Sequence, residues 1–308
     1  MQKNIDFETN PSIYKHWELK VQNNIAYLIM KVDEDEGFFD GYKLKLNSYD
    51  IGVDIELADA VQRLRFENPN VTSVIIKSGN DKAFCAGANI KMLASSNHAH
   101  KVNFCKFTNE TRNFLEKSQI ESDQFYICLI EGVCAGGGYE LALACDHIIL
   151  TDDGSSSVSL PEVPLLAVLP GTGGLTRLTD KRKIRRDLAD VFCTMVEGVR
   201  AKKAKEWRLV DSIIKKSSLN EELDILIKTK SIKKLHTNTL NGVILNKIQK
   251  NKVNNDVIKY SSVNIEIDRV KKVATISILA PNTPPPKEVE EIYSQGDQFW
   301  LLKCAREL

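Results

Sequence analysis

Residues 125–145, FYICLIEGVCAGGGYELALAC, join an apolar strand-like run to three consecutive glycines and then to a segment that is apolar almost all round. A helix that is hydrophobic on every face belongs in an interior. The strand before it, lacking polar alternation, reads as buried on both faces, as strands of a parallel sheet are. The plan recurs along the chain. VTSVIIKS (71–78) is a β-branched strand that leads through KAFCAGA into NIKML, and HIIL (147–150) is a third apolar run. Helical spacing in IELADAVQRLRFE (55–67) and a polar helix around 101–120 fill the intervals. Strands alternating with helices predict an α/β domain with parallel pairing.

Both ends of this domain open alike. HWELKVQNNIAYLIMKV (16–32) alternates and breaks at NN, which predicts a hairpin, and SSVNIEIDRVKKVATISILA (261–280) repeats strand, polar turn and strand. Two such openings indicate an internal duplication whose second copy has barely begun at Leu308. A shortened chain is therefore expected. The division predicted is a main domain over 1–215, a helical and connecting segment over 216–260 that contains LNEELDILIKTK, and the start of a second half over 261–308. Past the proline-rich APNTPPPKEVEE, the terminal DQFWLLKCAREL predicts a helix.

With 308 residues there is enough chain for a substantial core. Lys and Arg number 42 against 41 Asp and Glu, a net charge of +1, so no overall field favours nucleic acid or an anionic membrane surface. The N-terminal stretch lacks an apolar signal core, and no run reaches 18 apolar residues, so neither secretion nor a membrane span is expected. Seven cysteines at irregular, wide spacing make no disulfide framework. They point to a reducing compartment, hence a cytoplasmic protein.

A turn needs one or two glycines; three at 136–138 call for another reason. A dinucleotide fingerprint or a P-loop would need G-x-G-x-x-G or G-K-[ST], and neither this loop nor PGTGGLTRL (170–178) supplies either. Two readings stay open. The glycines could permit close packing alone. Alternatively they leave the first N–H groups of the following helix open to an oxygen, where the helix dipole favours negative charge. AFCAGANIKML (83–93) is a second small-residue turn between strand and helix. Two such turns could each present one N–H to the same oxygen.

AFCAGANIKM, GVCAGGGYELALACD and LPEVPLLAVLPGTGGLTRL, in that order over roughly 70–215, resemble the crotonase (enoyl-CoA hydratase/isomerase) superfamily. The resemblance implies a crotonase-like fold of repeated ββα units, followed here by the start of a second crotonase-like half. It implies that the N–H groups of Ala88 and Gly137, with Gly136 beside them, polarise the carbonyl of an acyl-coenzyme A thioester. The coenzyme's adenine end would lie along Ala88, Asn89, Ile90 and Lys91. Glu140 and Glu162 match the two acid/base glutamates of that superfamily. Their bland readings are a helix-dipole residue and a solvated loop acid. Glu131 stands where most members have asparagine, and it reads either as a third functional carboxylate or as a surface-facing variant. Ser159 either orients substrate or water or is an ordinary strand-end hydroxyl. The histidines of HAH (98–100) have no third ligand nearby, and DKRKIRRD (180–187) reads as a solvated face or a contact to the coenzyme's phosphates.

GGGYELALACD, SVSLPEVPLLAVLPGTGGLTRLTDKRKIRRDLADVFCT and VEGVRAKKAKEWRLVD carry a finer resemblance. They look like a ring-opening branch whose chains hold two crotonase-like halves and which hydrolyses 2,3-epoxybenzoyl-CoA in aerobic benzoate degradation. The implied chemistry needs neither redox cofactor nor metal, and the implied assembly is a homo-oligomer. Glu131 and Glu162 are then expected to transfer protons and activate water, with Glu140 in support. An ordinary enoyl-CoA hydratase using Glu140 and Glu162, and a non-catalytic acyl-CoA-binding fragment, are the alternatives.

Overall fold

Trp17–Gln22 (β1) and Ile25–Met30 (β2) pair antiparallel around a turn in which Asn23 adopts the left-handed conformation, φ 57°. The structure, a computed structural model, describes residues 5–231 and 242–308. After the hairpin comes α1 (Ile51–Phe66), whose start is capped by the Asp50 carboxylate accepting from the N–H groups of Gly52 and Val53 at 2.8 and 3.2 Å. Three units of one pattern follow. The first is β3 (Ser73–Ser78), β4 (Ala83–Cys85), α2 (Ile90–Ser95) and the long α3 (His98–Ser122). The second is β5 (Phe125–Ile130), β6 (Val133–Ala135) and α4 (Gly137–Ala144); the third is β7 (His147–Thr151), β8 (Ser157–Ser159) and α5 (Glu162–Leu166). A single turn α6 (Gly174–Thr176), then α7 (Arg186–Phe192), β9 (Val199–Arg200), α8 (Ala201–Glu206), β10 (Ser212–Ile214) and α9 (Leu219–Ser231) complete the first of two compact units.

In each repeat the first strand joins a six-stranded sheet of order β1-β2-β3-β5-β7-β10 and the second joins a four-stranded sheet of order β4-β6-β8-β9. Beyond the β1–β2 hairpin the larger sheet is parallel throughout. This is the expected fold of repeated ββα units.

The unbroken apolar runs follow from burial of both faces of the large sheet. Val74, Ile76, Cys128, Ile130, Ile148 and Leu150 face the main core with Leu141 and Leu143 of α4. Their neighbours Ile75, Ile127, Leu129 and Ile149 face the other way, onto Leu219, Leu223 and Ile227 of α9. Burial of each of these three side chains contributes about 2 kcal/mol. The helix of the predicted segment over 216–260 is a wall of the first unit, because the sheet's second face would otherwise lie open, and residues 232–241 of that segment lie outside the described residues.

The second unit carries an antiparallel sheet of β11 (Asn251–Lys252), β12 (Val257–Lys259), β13 (Val263–Asp268) and β14 (Val273–Ile278), followed by α10 (Val289–Gln295) and α11 (Trp300–Glu307). β13 and β14 form the predicted hairpin. α11 is the predicted terminal helix, and its Glu307 carboxylate accepts from the N–H groups of Ser261 and Ser262 at 3.3 and 2.7 Å. All seven cysteines are unpaired, and six are buried. Among the described residues no helix is long and apolar enough to cross a membrane.

Candidate active site

β4 and β6 are parallel neighbours, so the turns leaving them emerge at the same edge of the small sheet. That adjacency brings the two small-residue turns together. A Cβ on Gly87 (φ +86°) would lie 2.8 Å from the Ala135 carbonyl oxygen and 3.3 Å from the Gly137 nitrogen, and one on Gly137 would lie 3.5 Å from the Ala88 nitrogen. Since a Cβ is about 2.5 Å from its own nitrogen, the Ala88 and Gly137 nitrogens are at most roughly 6 Å apart, within reach of one shared acceptor. Neither N–H donates to an acceptor among the described residues.

Each of the three glycines has its own reason. Gly136 has φ +51°, which disfavours a side chain, and its N–H donates to the Ser159 carbonyl at 2.9 Å. Gly137 is α4's first residue, where an N–H has no intrahelical acceptor. Gly138 packs on Cys85: a Cβ there would sit 2.6 Å from the Cys85 Cβ and 2.9 Å from its carbonyl oxygen. Close packing at Gly138 and an unpartnered N–H at Gly137 thus fall on different residues of the same loop.

Ala88 is fixed from the other side by Tyr49. The Tyr49 N–H donates to the Gly87 carbonyl and its carbonyl accepts from the Asn89 N–H, both at 2.8 Å, bracketing Ala88.

Glu140 and Glu162 face different surroundings. Glu140, in the first turn of α4, is 2% exposed, yet both carboxylate oxygens are satisfied. Oε1 accepts from the N–H groups of Thr172 and Gly174, each at 2.9 Å, and Oε2 accepts from the Thr172 hydroxyl. A Cβ on Gly174 would come 2.9 Å from Oε1, so the TGG turn wraps the carboxylate as only glycine allows. Arg177 holds that turn in place, donating to the Thr172 carbonyl at 3.3 Å and to Glu116 at 2.9–3.0 Å.

Glu162, at the start of α5, has no such cradle. Its buried Oε2 has no hydrogen-bond partner among the described residues, and its Oε1 lies 2.9 Å from where a Gly136 Cβ would be. Burial first, and the charge of Glu140 second, push its carboxyl up to about 7. A carboxyl that exchanges its proton near neutrality thus stands over the glycine loop, next to two unused main-chain donors. This arrangement suits proton transfer at a carbon or oxygen beside a carbonyl held by those donors.

Other predicted residues fall outside this group. Glu131 directly follows β5, its side chain is 35% exposed, and it pairs with Lys216 Nζ at 3.5 Å, as the surface-facing reading would have it. Ser159 contributes its main-chain carbonyl, described above. Asn89 caps α2, accepting from the Met92 N–H at 3.0 Å and donating to the Lys43 carbonyl at 2.8 Å and to Ser48 at 3.0 Å, so its side chain is committed to the fold. Ile90 and Lys91 are exposed on that helix. Lys181, Arg182 and Arg185 of the basic run pair with Glu116, Asp211 and Asp187.

Three residues near the site had escaped the sequence reading. Thr172 could have been found from its place between glycines in PGTGG. Cys105 of α3 has its Sγ 3.2 Å from a Cβ position on Gly171, and burial with the charge of Glu140 raises its thiol. Arg112 of α3 is 1% exposed and donates to the Gly137 carbonyl at 2.9 Å. Neither of the last two carries a local signal in the chain.

The sequence profile of the enoyl-CoA hydratase/isomerase family matches residues 43–266. The chain is 52% identical over 99% of its length to a benzoyl-CoA-dihydrodiol lyase of Aromatoleum evansii, of which it spans 55%. It is 30% identical over 70% of its length to the fatty acid oxidation complex subunit alpha of Aliivibrio fischeri, spanning 31% of that protein. In three dimensions it is similar to an enoyl-CoA hydratase of Geobacillus kaustophilus, with a TM-score of 0.61, 31% identity and coverage of 70% of this chain and 74% of the other. An enoyl-CoA hydratase of Bacillus anthracis gives 0.58 and 27%, covering 70% and 76%. The ββα repeats, the paired small-residue turns and these matches together establish that the chain belongs to the enoyl-CoA hydratase/isomerase family.

Proposed function

We propose that this chain binds an acyl-CoA thioester and opens the ring of 2,3-epoxybenzoyl-CoA with release of formate. One observation carries the catalytic part: a Glu162 carboxyl whose Oε2 is buried and unpartnered, beside the free N–H groups of Ala88 and Gly137. The choice of substrate is supported by the 52% identity to a protein named benzoyl-CoA-dihydrodiol lyase.

In this reading the two N–H groups donate to the thioester oxygen and stabilise negative charge as it develops there, making the ring an electron sink. Loss of one such donor typically costs about 3 kcal/mol of transition-state stabilisation. Glu162 moves the proton, activating water or protonating the epoxide oxygen, and Glu140, clamped by Thr172 and Gly174, holds the local field and supports that exchange. With two waters consumed, one in opening the epoxide and one in releasing the one-carbon unit, carbon–carbon cleavage leaves an aliphatic semialdehyde thioester and formate. Neighbouring apolar side chains exposed just after Glu162, at Val163, Leu165, Val168 and Leu169, suit an apolar acyl group. Seven unpaired thiols suit a reducing, cytoplasmic setting.

Hydration of an enoyl-CoA is the second reading, favoured by one specific observation. Glu131, which stands where most members have asparagine, is paired with Lys216, which favours Glu140 and Glu162 as the working carboxylates. Incubating the chain with 2,3-epoxybenzoyl-CoA while following formate, beside crotonyl-CoA while following loss of the enoyl absorbance, separates the two. Formate release supports the first reading; crotonyl-CoA hydration without formate transfers the site to the second.

A further inference from the structure

A single buried charge network runs beneath both amides of the proposed oxygen site. Tyr49 brackets Ala88 with its main chain, and its hydroxyl donates to Asp54 Oδ1 at 2.5 Å. Asp54, fully buried on α1, accepts at its other oxygen from Thr111 at 2.6 Å and lies 3.5 Å from Arg112 Nη1. Arg112 donates through Nη1 to the Thr108 carbonyl at 2.8 Å and through Nη2 to the Gly137 carbonyl at 2.9 Å, with its guanidinium 5.7 Å from the Tyr49 ring centre. Three separate stretches, at residues 49–54, 108–112 and 137, are thereby tied into one unit.

Stability alone is a poor explanation for this network. Taking an arginine and an aspartate out of water costs several kcal/mol per ion, and well-packed apolar residues of similar volume commonly do as well or better. Arg112 Nε also has no partner among the described residues, so the network is incompletely satisfied. Its layout matches the demands of the site instead. Asp54 lies against Arg112 Nη1 while Nη2 donates to the Gly137 carbonyl, so the guanidinium is the member of the pair that touches the first turn of α4.

We infer that Arg112, held by Asp54 and Tyr49, is a positioning residue that fixes the Gly137 and Ala88 amides at one spacing and adds positive potential beneath them. This rests on the oxyanion reading proposed above. It makes the spacing of the two donors a property of α1 and α3 as well as of the glycine loop.

The test uses the full chain and benzoyl-CoA labelled with carbon-13 at the thioester carbonyl, a ligand that lacks the reacting epoxide. Isotope-edited infrared spectroscopy reads how far the bound carbonyl stretch falls below its value in water. Wild type is expected to lower it. Arg112→Lys keeps a charge but cannot span both Asp54 and the Gly137 carbonyl, and is expected to lose most of that lowering while benzoyl-CoA affinity changes less than about threefold. Its kcat on the epoxide should fall about 100-fold with little change in KM, the cost of misplacing a donor by about an ångström. Tyr49→Phe removes one hydroxyl from a ring that stays packed; it serves where Arg112→Lys does not fold, and should give the same pattern at about one-tenth the size. Folded variants that retain the full wild-type lowering would overturn the inference while leaving the oxyanion reading intact. A wild-type protein that binds benzoyl-CoA without lowering its carbonyl stretch would overturn both.

Discussion

Replacing Glu162 by glutamine should make the protein more stable at alkaline pH and nearly inactive at every pH. Burial and the charge of Glu140 raise the Glu162 carboxyl from an ordinary 4.5 to about 7. Below pH 4.5 the side chain is protonated in both folded and unfolded chains and contributes no difference. As pH rises toward 7 the unfolded chain has already lost this proton and the folded chain has not, so the native state loses ground, fully so above 7. A gap of about 2.5 pH units at about 1.36 kcal/mol each sets an upper bound of about 3 kcal/mol. Partial access of water to Glu162 and an amide left without a partner reduce the net gain to about 1–2 kcal/mol. For a unit of this size that is roughly 2–8 °C in melting temperature. Thermal melts of Glu162→Gln and wild type at pH 5 and pH 8 measure it. The variant should melt higher at pH 8, the difference should shrink toward zero at pH 5, and turnover should drop about 100- to 10,000-fold. Equal melting shifts at both pH values, or a destabilised variant at pH 8, would refute the placement of Glu162 as a buried acid coupled to Glu140.

Glu131→Ala should change stability by less than about 1 kcal/mol, as expected for an exposed ion pair, and leave turnover within about twofold of wild type; a severe loss of turnover would return Glu131 to the catalytic group. Gly138→Ala places a methyl within 2.6 Å of Cys85 Cβ in a region where main chain cannot retreat, and urea denaturation should show a loss of about 1–3 kcal/mol or more. Thr172→Val strips Glu140 Oε2 of its hydroxyl donor, which should cost about 1–3 kcal/mol of stability.

Much of the architecture is legible in the chain because burial on both faces leaves a strong local trace. FYICLI and VTSVIIKS could be placed as interior strands without coordinates, and the polar break at Asn23 and Asn24 marks the hairpin. The glycines at 136–138 and the acids at 140 and 162 were likewise legible, as residues whose presence in apolar surroundings needs a reason. The limits lie where chemistry depends on neighbours distant in sequence. Glu131 drew attention by its type and its place at a strand end, but Lys216, 85 residues on, takes up its charge at the surface. The helix at 219–231 looked like a connector because its amphipathic pattern says that one face is covered without saying by what; the second face of the large sheet covers it.

The amino-acid order by itself determined the strand and helix periods, the glycine turn and the candidate carboxylates, because each is expressed within a few neighbouring residues. Tertiary structure alone decided which carboxylate is cradled and which is left unpartnered. It also decided that Ala88 and Gly137 lie within reach of one acceptor, and that Arg112 sits beneath Gly137. Those facts depend on the parallel registry of β4 with β6 and on α3 reaching α4 through Arg112, so they come from packing between segments that share no local pattern.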